Sequence, residues 1–230
     1  MVNLSVIVPF FNEEIYLEKS VQRLLENNIY EKIILIDNNS TDNSNYIAHQ
    51  LAKQNKNIQV HKTGIERGKG SALRYAKKFV ETSHVVIHDA DLEYFPDDII
   101  EMFKLCEENP KSLILGSRFI GNKERKNVYF RTSLANRVMS LFLSLINFYY
   151  ISDVASCYKL MPTEFFVNEN FKEPGFSIEI EILAKFLKFN RSVIEVPIKY
   201  EGRSYEEGKK IKTIDGFNYL ISTLRYRIFN

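Results

Sequence analysis

The sequence predicts an α/β domain on a mostly parallel central sheet flanked by helices. Two patterns carry that expectation: continuous apolar runs rich in β-branched residues alternate with segments of helical periodicity, and polar clusters follow several of the runs directly. Residues 4–10, LSVIVPF, read as the first strand, and Leu17, Val21, Leu24 and Leu25 recur behind it at helical spacing. Residues 33–36, IILI, form a second strand that ends in the polar turn Asp37 to Asp42, rich in helix-capping residues, before an amphipathic segment from Tyr46 to Leu51. Ile58 to Val60 is a third strand, followed by a glycine turn and a helix from about Ser71 to Val80. Val85 to Ile87 leads into Asp89, Ala90 and Asp91, and Pro96, Asp97 and Asp98 open a helix with Ile99, Phe103 and Cys106 on one face.

The second half is less regular. It offers a strand at Leu113 to Leu115, a helix from about Ser133 to Asn147, a helix carrying Ile178, Ile182, Leu183 and Phe186, a strand from Val193 to Tyr200 and a last helix from about Ile214. No repeat or linker divides the chain. One domain over 1–230 is therefore expected, with 1–95 as the half beyond whose strands a ligand binds and 96–230 completing the same sheet. The polar clusters at Asn12 to Glu14, Asp37 to Ser40 and Asp89 to Asp91 all follow strands and point at one crevice.

Composition narrows the function. With 31 basic and 29 acidic residues the net charge is +2, so no bulk field favours nucleic acid. Cys106 and Cys157 lack metal-ligand spacing and make no disulfide framework, which fits a reducing cytoplasm. The first basic residue is Lys19, so no secretory leader is expected. The apolar stretch from Val138 to Ile151 is too short to span a bilayer; it reads as a core helix or as a segment lying on a membrane.

Asp89, Asp91 and Glu93 alternate where a strand stops. Oxygen donors so clustered suit Mg²⁺ or Mn²⁺ shared with a substrate phosphate, while a turn that solvates its own acids fits the spacing equally. Gly68, Lys69 and Gly70 fail both nucleotide-loop patterns: only three residues separate Gly64 from Gly68, and Leu73 holds the third glycine place of the dinucleotide motif. A turn feeding a helix is the plainer reading, with Lys69 in reach of a phosphate. Arg118 and Arg131 suit an anionic acceptor, and Arg203, Lys209, Lys210 and Lys212 gather on a loop of the kind that closes over anions or simply of a basic tail. No Ser-His-Asp pattern stands out, and His88 reads as a strand residue facing away from the crevice.

In order along the chain, VIVPFFNEE, IDNNSTDNS, ERGKGSALRYA, HDADLEYFPDD, GSRF, DVASCYKLM, FSIEIEIL and EVPIKYEGRSYEEGKKI resemble glycosyltransferases of family 2, with the nucleotide-diphospho-sugar fold called GT-A. The likeness covers nearly the whole chain and is strongest to the branch that makes dolichyl- or polyprenyl-phosphate hexoses. It implies a metal-dependent, inverting transfer of a hexose from a UDP- or GDP-sugar to a polyprenyl phosphate, on the cytoplasmic face of a membrane with peripheral contact. The alternative is a transferase acting on a glycan hydroxyl, with Asp153 as base. By the same resemblance Pro9, Phe11 and Glu13 line the base and ribose site, Asp37 lies near the base, and Asp89, Ala90 and Asp91 meet ribose and metal. Glu93 stands where relatives often carry Gln as a further ligand; 1–95 is then the nucleotide-sugar-binding half and 96–230 the acceptor-binding half, in which Arg118 and Arg131 hold the acceptor phosphate and Arg203 and Lys209, on a basic C-terminal lid loop, cover the diphosphate. Two positions depart from the pattern: Asp37, Asn38, Asn39 replace two acids and a Gly, and Ser156, Cys157, Tyr158 replace Ser-Gly-Phe.

Overall fold

A computed structural model describes residues 1–203. The elements run β1 (Leu4–Phe10), α1 (Leu17–Leu25), β2 (Tyr30–Asp37), α2 (Ser44–Gln54), β3 (Ile58–Lys62), α3 (Lys69–Ala76) and β4 (His84–Ile87). They continue with α4 (Asp97–Glu108), β5 (Leu113–Ser117), β6 (Arg125–Lys126), α5 (Phe130–Asn147), β7 (Lys159–Pro162), α6 (Thr163–Asn168), α7 (Ile178–Phe189), β8 (Val193–Pro197) and β9 (Tyr200–Glu201). Among the described residues seven strands form one sheet in the order β3-β2-β1-β4-β7-β5-β8, and β6 pairs with β9 in a small second sheet.

Strands β1 to β4 are mutually parallel, and their near-continuous apolar runs follow from helices covering both faces. Ile33 to Ile36 and Val85 to Ile87 are wholly buried, each large side chain contributing about 1.5–3 kcal/mol relative to exposure. α1 turns Leu17, Ser20, Val21 and Leu24 inward, the i, i+3, i+4, i+7 face that its sequence marks. Because β2 and β3 stack on one side of β1 and β4 on the other, the chain order reverses between β1 and β4. At such a switch point the flanking loops diverge and leave a crevice beyond the strand ends.

Three details differ from the sequence reading. β7 enters the sheet antiparallel to both β4 and β5, an insertion hidden because its first residue is a lysine, Lys159, and the strand is only four residues long. The helix expected to reach Val80 ends at Ala76 and tightens into a 3₁₀ turn over Lys77–Phe79. The expected strand from Val193 to Tyr200 breaks after Pro197: the Ile198 N–H donates to Ser117 O at 3.0 Å and the Lys199 N–H to Asp98 Oδ2 at 2.7 Å, and the chain then pairs with β6 as β9. The helix from about Ile214 and the basic positions Lys209, Lys210 and Lys212 lie outside the described residues.

Candidate active site

The crevice at the switch point is a cleft of about 330 Å³. Pro9, Phe10, Phe11 and Glu13 reach it from the end of β1, Asn38 from β2, Asp89, Ala90, Asp91, Glu93 and Tyr94 from β4, and Arg118 from β5. The β4 loop turns sharply because Leu92 adopts a left-handed backbone, φ +64°, a conformation that costs a non-glycine residue about 1 kcal/mol or more. Asp91 and Glu93 on either side of it thereby both line the cleft.

A chain of alternating charge forms the floor. Lys69 Nζ lies 2.6 Å from Asp89 Oδ1 and 2.7 Å from Glu179 Oε1, and Lys159, with no exposed surface, binds Glu179 Oε2 from beneath. Burial alone would push Lys69 down, yet Asp89 and Glu179 hold its ammonium well above the ordinary lysine range. Burial also pulls Lys159 down, against the carboxylate of Glu179. Lys69 is therefore placed as a partner of Asp89. Its position depends on close backbone contact: a Cβ on Gly70 would stand 2.0 Å from Glu173 O, and one on Gly68, at φ +108°, 2.3 Å from Pro174 O. That approach is the physical use of the glycines in ERGKG.

Arg203 bridges the acids on the opposite wall. Its guanidinium meets Glu13 at 3.1 and 3.3 Å and Asp91 Oδ2 at 3.5 Å, and its ring-facing side lies over Tyr16. Its backbone N–H donates to Glu93 Oε1 at 2.8 Å, and the Tyr200 hydroxyl donates to Glu93 Oε2 at 2.7 Å. Glu93, read from the sequence as a metal ligand, is instead the anchor that ties β9 to the acid loop, both carboxylate oxygens being engaged.

Asp91 differs from its neighbours. Burial, then Glu93 and Asp89, push its carboxyl up to about 8, and Arg203 only partly offsets this. One oxygen accepts the Glu93 N–H at 3.1 Å; the 3.5 Å approach of Arg203 to the other is too long for a strong hydrogen bond. A carboxyl that faces the cleft and whose ionisation neighbouring acids oppose fits a hard divalent cation, which would displace its proton, take one or two carboxylates and complete its shell with phosphate and water. Among the described residues no three acidic, His or Cys side chains converge to hold an ion unaided, so the donor set is of this shared kind.

Arg118 enters the cleft from β5 held by Asp153, which is fully buried. The Arg118 backbone N–H and Nε donate to Asp153 Oδ2 at 2.9 and 2.8 Å, and Nη2 donates to Oδ1 at 2.8 Å. Asp153 itself does not line the cleft, and its two oxygens are occupied, so the structure makes it the holder of Arg118 rather than an open base. Arg131 is on the exposed side of α5, outside the cleft wall; Thr132 and Asn136 of that helix line it instead. Asp37 is buried beneath the cleft, its oxygens accepting the Ser40 N–H at 2.8 Å and the Asn45 amide at 2.9 Å, so that Asn38 takes the place expected of it. Lys209 lies outside the described residues.

Of the other expected site residues, Pro9, Phe11, Glu13, Lys69, Asp89, Ala90, Asp91, Glu93, Arg118 and Arg203 share this one cleft. Those the sequence reading did not single out, Arg67, Thr132, Phe176, Glu179 and Tyr200, reach it from the second half or from the glycine turn. One signal was readable: Thr132, Asn136, Ser140 and Ser144 recur every fourth residue, a polar row on one helix face. His88 points away, bonded at 3.0 Å to both Ser20 Oγ and Tyr158 OH, and burial pulls it down to about 4.

A parallel sheet reversing at β1 and β4, an acidic loop on that seam and arginines on both walls define a GT-A nucleotide-diphospho-sugar transferase. The chain belongs to Glycosyl transferase family 2, whose family profile matches residues 5–167, and is a glycosyltransferase. It is 27% identical to the UDP-N-acetylglucosamine–dolichyl-phosphate N-acetylglucosaminyltransferase of Methanococcus voltae, over 98% of this chain and 96% of that one. It is 28% identical to the dolichol-phosphate mannosyltransferase of Saccharomyces cerevisiae, over 91% of this chain and 83% of that one. Among solved structures, glucosyl-3-phosphoglycerate synthase from Mycobacterium tuberculosis in complex with Mn²⁺, UDP and phosphoglyceric acid has the same fold. Its TM-score is 0.76 at 18% identity, over 98% of this chain and 78% of that one.

Proposed function

We propose that this protein transfers a hexose from a nucleotide diphosphate sugar to the phosphate of a polyprenyl lipid, at the cytoplasmic face of a membrane. One observation carries the acceptor class: the second half supplies the cleft with a clamped guanidinium, Arg118 on Asp153, while the carboxylates Glu13, Asp89, Glu93 and Glu179 are each engaged by a cation or a donor and Asp91, the remaining one, is taken in this reading by the metal ion. A phosphate acceptor is ionised at neutral pH and needs no base, only charge relief and orientation, which a two-point guanidinium provides. A sugar hydroxyl would need a proton acceptor within hydrogen-bonding reach. The names of the two relatives, both dolichyl-phosphate transferases, support the same acceptor.

The donor lies between the β1 end and the β4 loop in this reading. Phe11 and Pro9 flank the base, Asn38 borders it, and Arg203 and Arg67 stand beside the diphosphate. Asp91, with Asp89 near it, would hold Mg²⁺ or Mn²⁺, which when bound acts as a Lewis acid on the leaving diphosphate. Lys69, itself held by Glu179, keeps Asp89 ionised and fixed, so the donor site is organised before the substrate arrives. The test is nucleotide release by the purified protein from a panel of UDP- and GDP-sugars, with and without polyprenyl phosphate and Mn²⁺. Stimulation by the lipid phosphate is the expected result; release that requires a glycan and ignores the lipid phosphate would refute the reading.

A further inference from the structure

α5 carries a row of large apolar side chains on the side turned away from the protein. Its protein-facing side carries Ser140, Ser144 and Asn147, all buried. The Ser140 hydroxyl accepts the Val154 N–H at 3.1 Å, that of Ser144 accepts the Ile151 N–H at 2.9 Å, and the Asn147 amide donates to Leu143 O at 2.9 Å. Met139 and Leu143 are buried beside them, and six other large apolar side chains are on the outer side. Phe130, Leu134, Val138, Leu141, Leu145 and Phe148 follow one another at spacings of four and three and are exposed, from 50% at Leu134 to 84% at Phe148. At 100° per residue the row occupies about 80° of arc, one continuous stripe. A helix of a water-exposed domain normally turns polar residues to its outer side, and a contiguous apolar patch of this size marks a contact surface.

Charge identifies the contact. Residues 125–152 contain no Asp or Glu, while Arg125, Lys126, Arg131 and Arg137 lie in the same segment. On the helical wheel Arg137 and Arg131 flank the apolar row on its two sides. Tyr129 and Tyr150 add aromatic rings at either end. Two copies of so basic a face repel each other, whereas a bilayer with anionic headgroups attracts it and accepts the apolar row. The helix has 18 residues, and no helix among the described residues is long and apolar enough to cross a membrane, so the fitting geometry is one lying in the interface. Thr132 and Asn136, on the inner side of the same helix, line the cleft, which brings the cleft to the edge of that surface.

We propose that the outer face of α5 docks on a membrane surface carrying anionic phospholipid. This goes beyond the acceptor assignment and stands whether or not the acceptor is a lipid, so it is tested on vesicles without polyprenyl phosphate. The full-length protein is sedimented with zwitterionic vesicles and with vesicles in which roughly a third of the lipid is anionic phosphatidylglycerol. Anionic vesicles should bind at least tenfold more tightly. The double substitution Leu141→Asp with Leu145→Asp, at exposed positions outside the cleft, should lower that binding at least tenfold while leaving thermal unfolding unchanged. Equal vesicle binding by the variant and the parent, or no binding by the parent, overturns the proposal. So does a variant that loses a dimer seen by sedimentation equilibrium, or loses thermal stability, with vesicle binding unaltered; the face would then belong to a second copy or to residues 204–230 of the same chain.

Discussion

Replacing Asp153 by Asn separates a clamp from a base. In the structure Asp153 has no exposed surface, the Arg118 side chain is 10% exposed, and three hydrogen bonds join them. An amide keeps the shape but removes the charge and offers a single acceptor oxygen, so one side of the guanidinium faces another N–H donor. Leaving a buried charge without its partner costs about 3–5 kcal/mol. For a domain of this size each kcal/mol lowers the melting temperature by about 2–4 °C, so the fall should be roughly 6–20 °C. The freed guanidinium should also raise KM for a phosphate acceptor, because small misplacements of a positioning group cost about a hundredfold. Circular dichroism melting and nucleotide release stimulated by polyprenyl phosphate measure the two effects. The double variant Arg118→Met with Asp153→Leu should regain most of the stability and remain inactive, since an apolar pair of similar volume replaces a buried ion pair at little cost. If Asp153→Asn stays within about 1 kcal/mol of the parent yet loses kcat with KM unchanged, Asp153 is a base and the clamp argument fails.

Asp91→Asn should abolish nucleotide release by at least about a hundredfold, since it removes the carboxylate on which a cation and the leaving group depend. It should also change the pH dependence of stability. In metal-free protein the folded-state carboxyl titrates near 8 and the unfolded one near 4, so the folded state binds the extra proton and stability declines as pH rises between those values. Urea midpoints from acid to pH 8 should show that decline in the parent and a flatter profile in the variant; identical slopes would contradict the burial of Asp91. Glu179→Gln strips the counter-charge from Lys159, which is fully buried, and should destabilise by about 3–5 kcal/mol in urea unfolding. Adding Lys159→Met should recover most of this loss while donor affinity, read from KM for the nucleotide sugar, stays weakened through Lys69.

Much of the plan is legible along the chain. The four parallel strands are written as uninterrupted apolar runs because both of their faces are covered, and a strand buried on both sides cannot tolerate polar alternation. The clusters after those runs belong to the cleft because strand ends open toward it, which is why Glu13, Asp89 and Asp91 are recoverable from the chain alone. β7 is not legible: Lys159 in its first position has no place in an apolar strand until Glu179, twenty residues on, is folded against it.

The same limit separates what sequence and tertiary structure each decide. Local patterns determine the element types, the crevice and the acids at its rim, since each depends on neighbours within a few positions. Only the folded chain decides what those acids do: Glu93 holds β9, Asp37 caps a turn below the cleft, Asp153 grips Arg118 and Lys69 braces Asp89, each through a partner at another point in the chain. It also decides that α5 turns Ser140 and Ser144 inward and leaves Leu134, Leu141 and Leu145 outward, because a helix's spacing marks two faces without saying which of them the protein covers.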